Sequence, residues 1–278
     1  YLTALDNGYT PSTLVLDAPF VMDQGRGLPK WKPKNYSGQY YGESTLRTGV
    51  EKSQNLMTVR LAQAVGMEIV GEYARRFGIT EDLPNNLAAS LGSQETTLLR
   101  LTAAYAMLVN GGKKIRPTLI DRVQDRTGKT IIRTDDRDCL TCKNNAWLGL
   151  NPPELPDERE QLTDSASAFQ IVSILQGAVE RGTGRRVRSV GKPLAGKTGT
   201  SNDSFDTWFM GFSPDLVVGV FVGFDEPRTL GLNETGSTVA APIFRDFMTD
   251  ALEKSPATPF RIPQGIVLVR VNPETGLV

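Results

Sequence analysis

The chain has 278 residues, with 31 basic and 31 acidic side chains and therefore no formal net charge. This balance argues against a nucleic-acid-binding protein, which needs an excess of Lys and Arg to contact phosphates. Histidine is absent from the sequence, which excludes Ser-His-Asp and Cys-His catalysis and the histidine-bearing zinc motifs. A hydroxyl nucleophile would need another base, and lysine is the usual substitute.

The first part of the chain is predicted to be mainly helical. Its predicted elements are, in order, a helix end stopped by Asn7-Gly8, a turn and strand over 10–17, a loop to Gly38, and helices at 43–52, 56–65, 67–77 and 93–109. The apolar stripe of the last helix is typical of a core-facing surface. No apolar run reaches the ~18 residues that a membrane span needs.

The second part is predicted to alternate hairpins with helices. Its elements are a hairpin (119–123 and 130–133), a polar insertion loop (135–162), a helix (164–181), a second hairpin (207–212 and 217–224), a helix (240–252) and a terminal strand after Gly265. We therefore expect one domain over 1–253, interrupted by the insertion, and a linker with a terminal strand over 254–278. Both ends suggest a piece of a longer protein.

The only cysteines are Cys139 and Cys142, in a polar loop. A structural zinc site would need two more ligands, and no other Cys or His is present to supply them. The pattern therefore predicts no metal site. It favours a local disulfide, which indicates an oxidising, extracytoplasmic compartment, over an unremarkable surface pair.

Residues 191–200 match two unrelated motifs. Gly191 to Thr198 fits G-x-x-x-x-G-K-[ST], a phosphate-binding loop, and Lys197-Thr198-Gly199 fits the K-T-G of serine-acylating enzymes. A phosphate loop must join a buried strand to a helix. Here poor helix formers follow, then two apolar runs separated only by residues 213–215. So short a turn predicts an antiparallel hairpin, with K-T-G on an edge strand.

Ser53-x-Asn55 precedes a predicted helix, where its hydroxyl and amide could line a cleft or simply cap the helix. The literal S-x-x-K match is Ser189 to Lys192, in a glycine- and proline-bearing segment unsuited to a helix. Ser44 lies three residues before Arg47, but arginine does not deprotonate and cannot act as the base. The sequence therefore contains no credible nucleophile.

The chain resembles the transpeptidase domain of class A, bifunctional penicillin-binding proteins over nearly its whole length. The segments that carry the resemblance are YLTALDNGYTPSTLVLDAPF, YYGESTLRTGVEKSQN, ERGTGRR, AGKTGTSND, DTWFMGFSPDLVVGVFVGFD and AAPIFRDFM. The resemblance implies an α/β (α+β) fold of the penicillin-binding and serine-β-lactamase type, with an antiparallel sheet flanked by helices and a mostly helical subdomain.

The resemblance also implies roles for the motif residues. Ser53 would relay a proton to the leaving group, and Asn55 would bond the substrate amide. Lys197 would set the electrostatics around Ser53 and the substrate carboxylate, while Thr200 would bind that carboxylate and supply an oxyanion N–H. The substrate-binding residues implied are Thr198, Gly199 and Thr200. No cofactor is implied.

In such proteins an S-x-x-K helix lies directly before the equivalent of Tyr1, so the nucleophile is expected outside this sequence. Implied partners are peptidoglycan stem peptides, β-lactams and an upstream glycosyltransferase domain. The implied location is the periplasmic face of the bacterial inner membrane, reached through an anchor outside this chain. The alternatives are a penicillin-recognising sensor or scaffold, and a β-lactamase or carboxypeptidase. Such a hydrolase needs a general-base carboxylate, and Glu51, the acid nearest Ser53, is expected to face solvent.

Overall fold

A computed structural model describes residues 1–135, 137, 155 and 157–278. Its α-helices are α1 (Leu2–Asp6), α2 (Leu46–Glu51), α3 (Asn55–Val65), α4 (Met67–Arg76), α5 (Leu98–Val109), α6 (Ser165–Glu180) and α7 (Ala241–Ala251). Its strands are β1 (Leu14–Asp17), β2 (Gly42–Thr45), β3 (Arg122–Gln124), β4 (Thr130–Arg133), β5 (Ala195–Thr200), β6 (Thr207–Phe212) and β7 (Val217–Val222). Short 3₁₀ helices include Leu87–Leu91 and Arg185–Val190, and a π-helical turn, Gly236–Ala240, leads into α7.

The main sheet is antiparallel, with strand order β5-β6-β7. The turn between β6 and β7 closes with the Ser213 N–H donating to the carbonyl of Leu216 at 2.9 Å. This confirms the predicted antiparallel hairpin. Within the described part of the chain β5 pairs only with β6, so its other side is an open edge. K-T-G therefore lies on an edge strand, as expected.

Helices cover both faces of this sheet. On one face α5 and α6 pack against it in a core that includes Phe212, Ala195 and Ile174. On the other face α7 and the 3₁₀ helix Arg185–Val190 pack around Phe209 and Phe244, whose ring centroids are 4.7 Å apart. Both phenylalanines are fully buried. Such a sheet, covered on both sides, gives β5 a rigid support.

Local sequence signals explain the ends of several helices. Thr45 begins α2, its hydroxyl accepting from the Thr48 N–H, and Asp164 begins α6 by accepting from Ala166 and Ser167. Gly66 separates α3 from α4 with φ +94°, a conformation that favours glycine. The helices predicted at 56–65, 67–77 and 164–181 are confirmed within a few residues of their ends.

Three local predictions were wrong. The segment predicted as a helix over 43–52 begins as β2, because residues 42–45 pair with β1 in register Leu14↔Thr45 before α2 starts. The segment after Gly265 forms no strand, because its backbone has no ladder partner among the described residues, and Val267 is 82% exposed. Ser189 lies in the 3₁₀ helix Arg185–Val190, where no helix was expected.

None of the helices in the described ranges combines the length and the apolar character needed to cross a bilayer.

Candidate active site

The two motifs meet through Lys197 and Ser53. The Lys197 Nζ donates to the Ser53 Oγ at 2.7 Å and to its neighbour's carbonyl, that of Thr198, at 2.9 Å. The two contacting side chains are 144 residues apart in sequence. Burial lowers the pKa of Lys197 to about 8, because removal from water disfavours the charged ammonium. A depressed lysine pKa beside a serine is typical of catalytic sites.

Ser53 occupies a tight corner between α2 and α3. Its backbone has φ +56°, and its N–H donates to the carbonyl of Val50 at 3.1 Å. The Gln54 N–H donates to the carbonyl of Gly49 at 2.8 Å, so the chain turns directly off the end of α2. The turn leaves the serine hydroxyl facing the β5 lysine.

The helix-capping interpretation of this motif is wrong. The cap residue of α3 is Gln54, which makes no side-chain capping bond. Instead the Leu56 N–H donates to the Oδ1 of Asn35 at 3.3 Å, from a distant loop. Asn35 is buried and donates to both carboxylate oxygens of Asp17, each at 2.9 Å. This loop therefore caps α3 and leaves Ser53 free for its contact with Lys197.

Asn55 is the first residue of α3, and its side-chain amide donates to the carbonyl of Lys34 at 2.8 Å. Within the described residues no hydrogen bond joins it to Ser53 or Lys197. Its amide nitrogen fastens the loop before β2 to the start of the helix.

The remaining residues of the K-T-G segment have distinct surroundings. The Thr198 and Thr183 hydroxyls are 2.7 Å apart, so the structure gives Thr198 a protein partner. A Cβ on Gly199 would come within 3.1 Å of the Trp208 side chain. Thr200 is an exposed residue at the strand end, and its hydroxyl accepts from the Gly236 N–H at 3.0 Å. Because the Thr200 hydroxyl oxygen accepts this bond, the hydroxyl proton remains available to donate to an incoming acceptor.

Glu51 does not face solvent, contrary to expectation. Its side chain is 7% exposed and forms a bidentate pair with Arg181, with Nη2–Oε1 at 2.6 Å and Nε–Oε2 at 3.2 Å. Arg47 approaches the same carboxylate at 3.7 Å. A carboxylate so engaged with arginine is poorly placed to act as a general base for water. The physical reason is the packing of α2 against α6, which covers the end of α2.

The phosphate-loop alternative is wrong. Lys197 lies within an antiparallel strand, and the residues after Thr200 form only a 3₁₀ turn, Asn202–Ser204, before β6. No helix N-terminus follows the motif, so its backbone does not form the strand–loop–helix cradle that a phosphate requires.

Sequence reasoning missed three residues around the site: Thr183, Arg181 and Gly236. The segment ERGTGRR contains the first two and was singled out only as part of a resemblance. Their positions depend on contacts between distant segments, which no local pattern encodes. Cys139 and Cys142 lie outside the described residues, so their predicted disulfide stays a prediction.

Comparison with known proteins identifies the family of the chain. The family described as "Penicillin binding protein transpeptidase domain" matches residues 1–249. Penicillin-binding protein 1A of Rickettsia conorii is 49% identical over 280 residues, covering 100% of this chain and 35% of the relative. That of Pseudomonas aeruginosa is 35% identical and covers 99% of this chain and 37% of the relative. The chain thus spans about a third of the length of these relatives.

Solved structures give the same answer for the fold. The crystal structure of penicillin-binding protein 1A from Haemophilus influenzae matches with a TM-score of 0.86 and 31% identity, covering 100% of this chain and 44% of that one. PonA1 from Mycobacterium tuberculosis matches with a TM-score of 0.75 and 21% identity, covering 95% and 70% of the two chains. The expected α/β penicillin-binding fold is confirmed. The chain belongs to the penicillin-binding protein transpeptidase domain family, whose members are serine-type acyl-transferring enzymes.

Proposed function

We propose that this chain forms most of the catalytic domain of a peptidoglycan D,D-transpeptidase, which crosslinks stem peptides through a serine acyl-enzyme. The observation that carries the proposal is the contact between Lys197 and Ser53 beside the open edge of β5. The nucleophilic serine and its lysine base are supplied by an S-x-x-K helix that precedes Tyr1 in the full-length protein. The chain by itself is then inactive.

The reaction is an acyl transfer in two halves. The nucleophilic serine attacks the carbonyl of the penultimate D-Ala, its proton passes to the partner lysine, and the terminal D-Ala leaves as an amine. The amine of a second stem peptide then attacks the ester, forms the crosslinking amide and frees the serine. No redox step or metal is required.

Ser53 is suited to protonate the leaving amine. Because Lys197 donates to the Ser53 oxygen, the serine's own proton points elsewhere and is available to the departing nitrogen. The ammonium also favours negative charge on that oxygen during the proton relay. Asn55 lies two residues after Ser53, at the first position of α3. If its side chain rotates away from the Lys34 carbonyl, its amide can form a hydrogen bond with the substrate backbone.

Thr200 is suited to bind the substrate carboxylate. Its hydroxyl oxygen accepts from the Gly236 N–H, so the hydroxyl can donate, and Lys197, three residues earlier on β5, supplies positive charge. Its backbone N–H, together with that of the nucleophilic serine, forms the oxyanion hole. Gly199 lets the substrate backbone approach the strand closely. Thr198 links the strand to the loop after α6 through its contact with the Thr183 hydroxyl.

β-Lactams would acylate the same serine. The PonA1 protein from Mycobacterium tuberculosis, which shares this fold, has been solved in complex with penicillin V. We place the domain at the periplasmic face of the inner membrane, in a protein that carries an upstream glycosyltransferase domain. The length of the penicillin-binding protein 1A relatives, of which this chain covers 35%, leaves room for both that domain and an anchor.

The test is covalent labelling of the full-length protein by a fluorescent penicillin, followed by incubation with peptidoglycan strands. We expect stable labelling, no labelling of residues 1–278 alone, and crosslinked dimers of stem peptides that penicillin suppresses. Rapid hydrolysis of the penicillin would identify a β-lactamase instead. Stable labelling without any crosslinking would identify a sensor, and either result would overturn the proposal.

A further inference from the structure

The loop that follows α6 bonds to both sides of the candidate site. The Thr183 N–H donates to the carbonyl of Glu51 at 3.0 Å, two residues before Ser53. The Thr183 side chain contacts the Thr198 hydroxyl at 2.7 Å, one residue after Lys197. A single residue therefore connects the segment that carries the serine with the strand that carries the lysine.

Neighbouring contacts strengthen the serine side of this connection. Arg181 pairs with the Glu51 carboxylate through two hydrogen bonds, and its backbone carbonyl accepts from the Lys52 Nζ at 3.1 Å. The loop approaches α2 so closely that a Cβ on Gly182 would lie 2.1 Å from the Glu51 carbonyl oxygen. The loop is therefore held against the end of α2 independently of β5.

On the strand side, the Thr183–Thr198 hydroxyl pair joins the loop to the K-T-G segment. The Thr183 and Thr198 hydroxyls are both partly shielded from water, so replacement of their mutual bond by water is restricted. Lys197 also donates to the carbonyl of Thr198, the same residue that Thr183 contacts. Displacement of Thr198 would thus move both the lysine backbone and one of the acceptors of its ammonium.

We propose that Thr183 is a positioning residue: by bonding Glu51 through its backbone and Thr198 through its hydroxyl, it sets the distance between Ser53 and Lys197. The inference rests on the proposed transpeptidase function for its catalytic consequence, although the geometry itself does not depend on that function. Thr183 does not contact the reacting atoms. Its effect on the reaction is exerted through the segment that carries Ser53 and the strand that carries Lys197.

The first measurement is the rate constant of penicillin acylation in the full-length protein. Thr183→Val keeps the shape of the side chain and removes the hydroxyl, whereas Thr183→Ser keeps the hydroxyl. We expect Thr183→Val to acylate roughly tenfold to a hundredfold more slowly, since small misplacements of catalytic groups have effects of that size. Thr183→Ser should restore most of the rate. Thr249→Val, on the exposed face of α7, is the matched control and should match the wild type.

The second measurement is independent of activity. Competitive labelling of Lys197 with isotopically coded acetic anhydride, read by mass spectrometry across a pH series, reports the midpoint at which this lysine becomes reactive. We expect a midpoint near 8 in the wild type, and a higher one in Thr183→Val, because a lysine released from Ser53 becomes more hydrated. Thr183→Ser should keep the wild-type midpoint.

These measurements separate the two proposals. If the wild-type protein is not acylated by penicillin, the proposed function fails, and the labelling midpoint still decides the role of Thr183. An unchanged midpoint and rate in Thr183→Val would overturn the positioning role, and so would equal losses in the Val and Ser variants. If Thr183→Val does not fold, Thr198→Val removes the same hydroxyl pair from the other side, and its midpoint decides in the same way.

Discussion

Glu51 and Arg181 form a two-point ion pair between the end of α2 and the end of α6, with the carboxylate almost fully buried and the guanidinium 54% exposed. The pair lies next to the corner that carries Ser53. The pair has two effects. Arg181 compensates the charge of the buried Glu51 carboxylate, and the contact holds the end of α2, next to Ser53, against the end of α6.

Replacement of Arg181 by alanine should destabilise the domain. The Glu51 carboxylate would keep only the longer contact to Arg47, at 3.7 Å. We expect a loss of about 1–3 kcal/mol in the free energy of unfolding, below the range for a fully buried pair because Arg181 is partly exposed. Urea unfolding measures it. Arg188→Ala, an exposed arginine on the next 3₁₀ helix, should change stability by less than about 0.5 kcal/mol, and a similar loss there would contradict the explanation.

Lys197→Ala should slow penicillin acylation of the full-length protein by about a hundredfold or more, the usual effect of removing one electrostatic contact to a developing charge. The variant removes the ammonium that donates to Ser53. Stopped-flow or gel-based labelling measures the rate constant. Lys192→Ala is the control, because that lysine bonds the carbonyl of Ser255 outside the site and should leave the rate unchanged. An unaltered rate in Lys197→Ala would remove this lysine from the mechanism.

The pKa of Lys197 predicts a pH dependence of stability. Burial lowers this pKa from the ordinary 10.5 to about 8, so between these values the unfolded chain binds more protons than the folded one. Stability contributed by Lys197 therefore rises with pH through this window, by about 1.4 kcal/mol per unit of pKa difference. In Lys197→Met the rise should be absent. The difference between wild-type and variant unfolding free energies, measured from pH 7 to 11, checks it, and a pH-independent difference would show that the lysine is well hydrated.

Gly236→Ala should disturb the Thr200 end of the site. An added Cβ would lie 2.5 Å from the carbonyl oxygens of both Gly199 and Trp208, so the backbone would have to move. We expect destabilisation of about 1–3 kcal/mol, as for other overpacked positions, and weaker binding of the substrate carboxylate as the Gly236 N–H leaves the Thr200 hydroxyl. Thermal unfolding and the dissociation constant of the non-covalent penicillin complex report the two effects separately.

Gly71→Ala should have the opposite sign. Gly71 lies inside α4, and an added Cβ would meet the Leu83 side chain at 3.7 Å, an ordinary contact distance. Alanine is a better helix former than glycine by about 1 kcal/mol. Differential scanning calorimetry should show a higher melting temperature than the wild type, with unchanged acylation. A lower melting temperature would mean that α4 does not have room for the methyl group.

The sequence was sufficient for elements whose signals are local. The turn residues at 213–215 predicted the β6–β7 hairpin, and Gly66 and Asp164 marked helix ends that the structure confirms. The same reasoning placed K-T-G on an edge strand, because its flanks could not form the strand and helix of a phosphate loop.

Features that depend on distant segments were beyond local reasoning. Residues 43–45 directly precede the helical pattern of Leu46 and Val50, yet residues 42–45 pair with β1, whose backbone groups need partners. Glu51 looks like a surface acid in sequence, and only the approach of α6 buries it. The contacts of Arg181 and of the Thr183 N–H with Glu51 likewise span about 130 positions of sequence, which no periodic pattern reveals.

The left-handed backbone of Ser53 has a consequence for what this position contributes. A non-glycine residue at φ +56° carries a conformational cost of about 1–2 kcal/mol that glycine would avoid. Glycine would therefore make the easier bend, yet it would offer nothing to the ammonium opposite. The left-handed geometry is thus offset by the one oxygen atom that accepts from Lys197, and Ser53→Gly would relieve the backbone while leaving the buried ammonium without this acceptor.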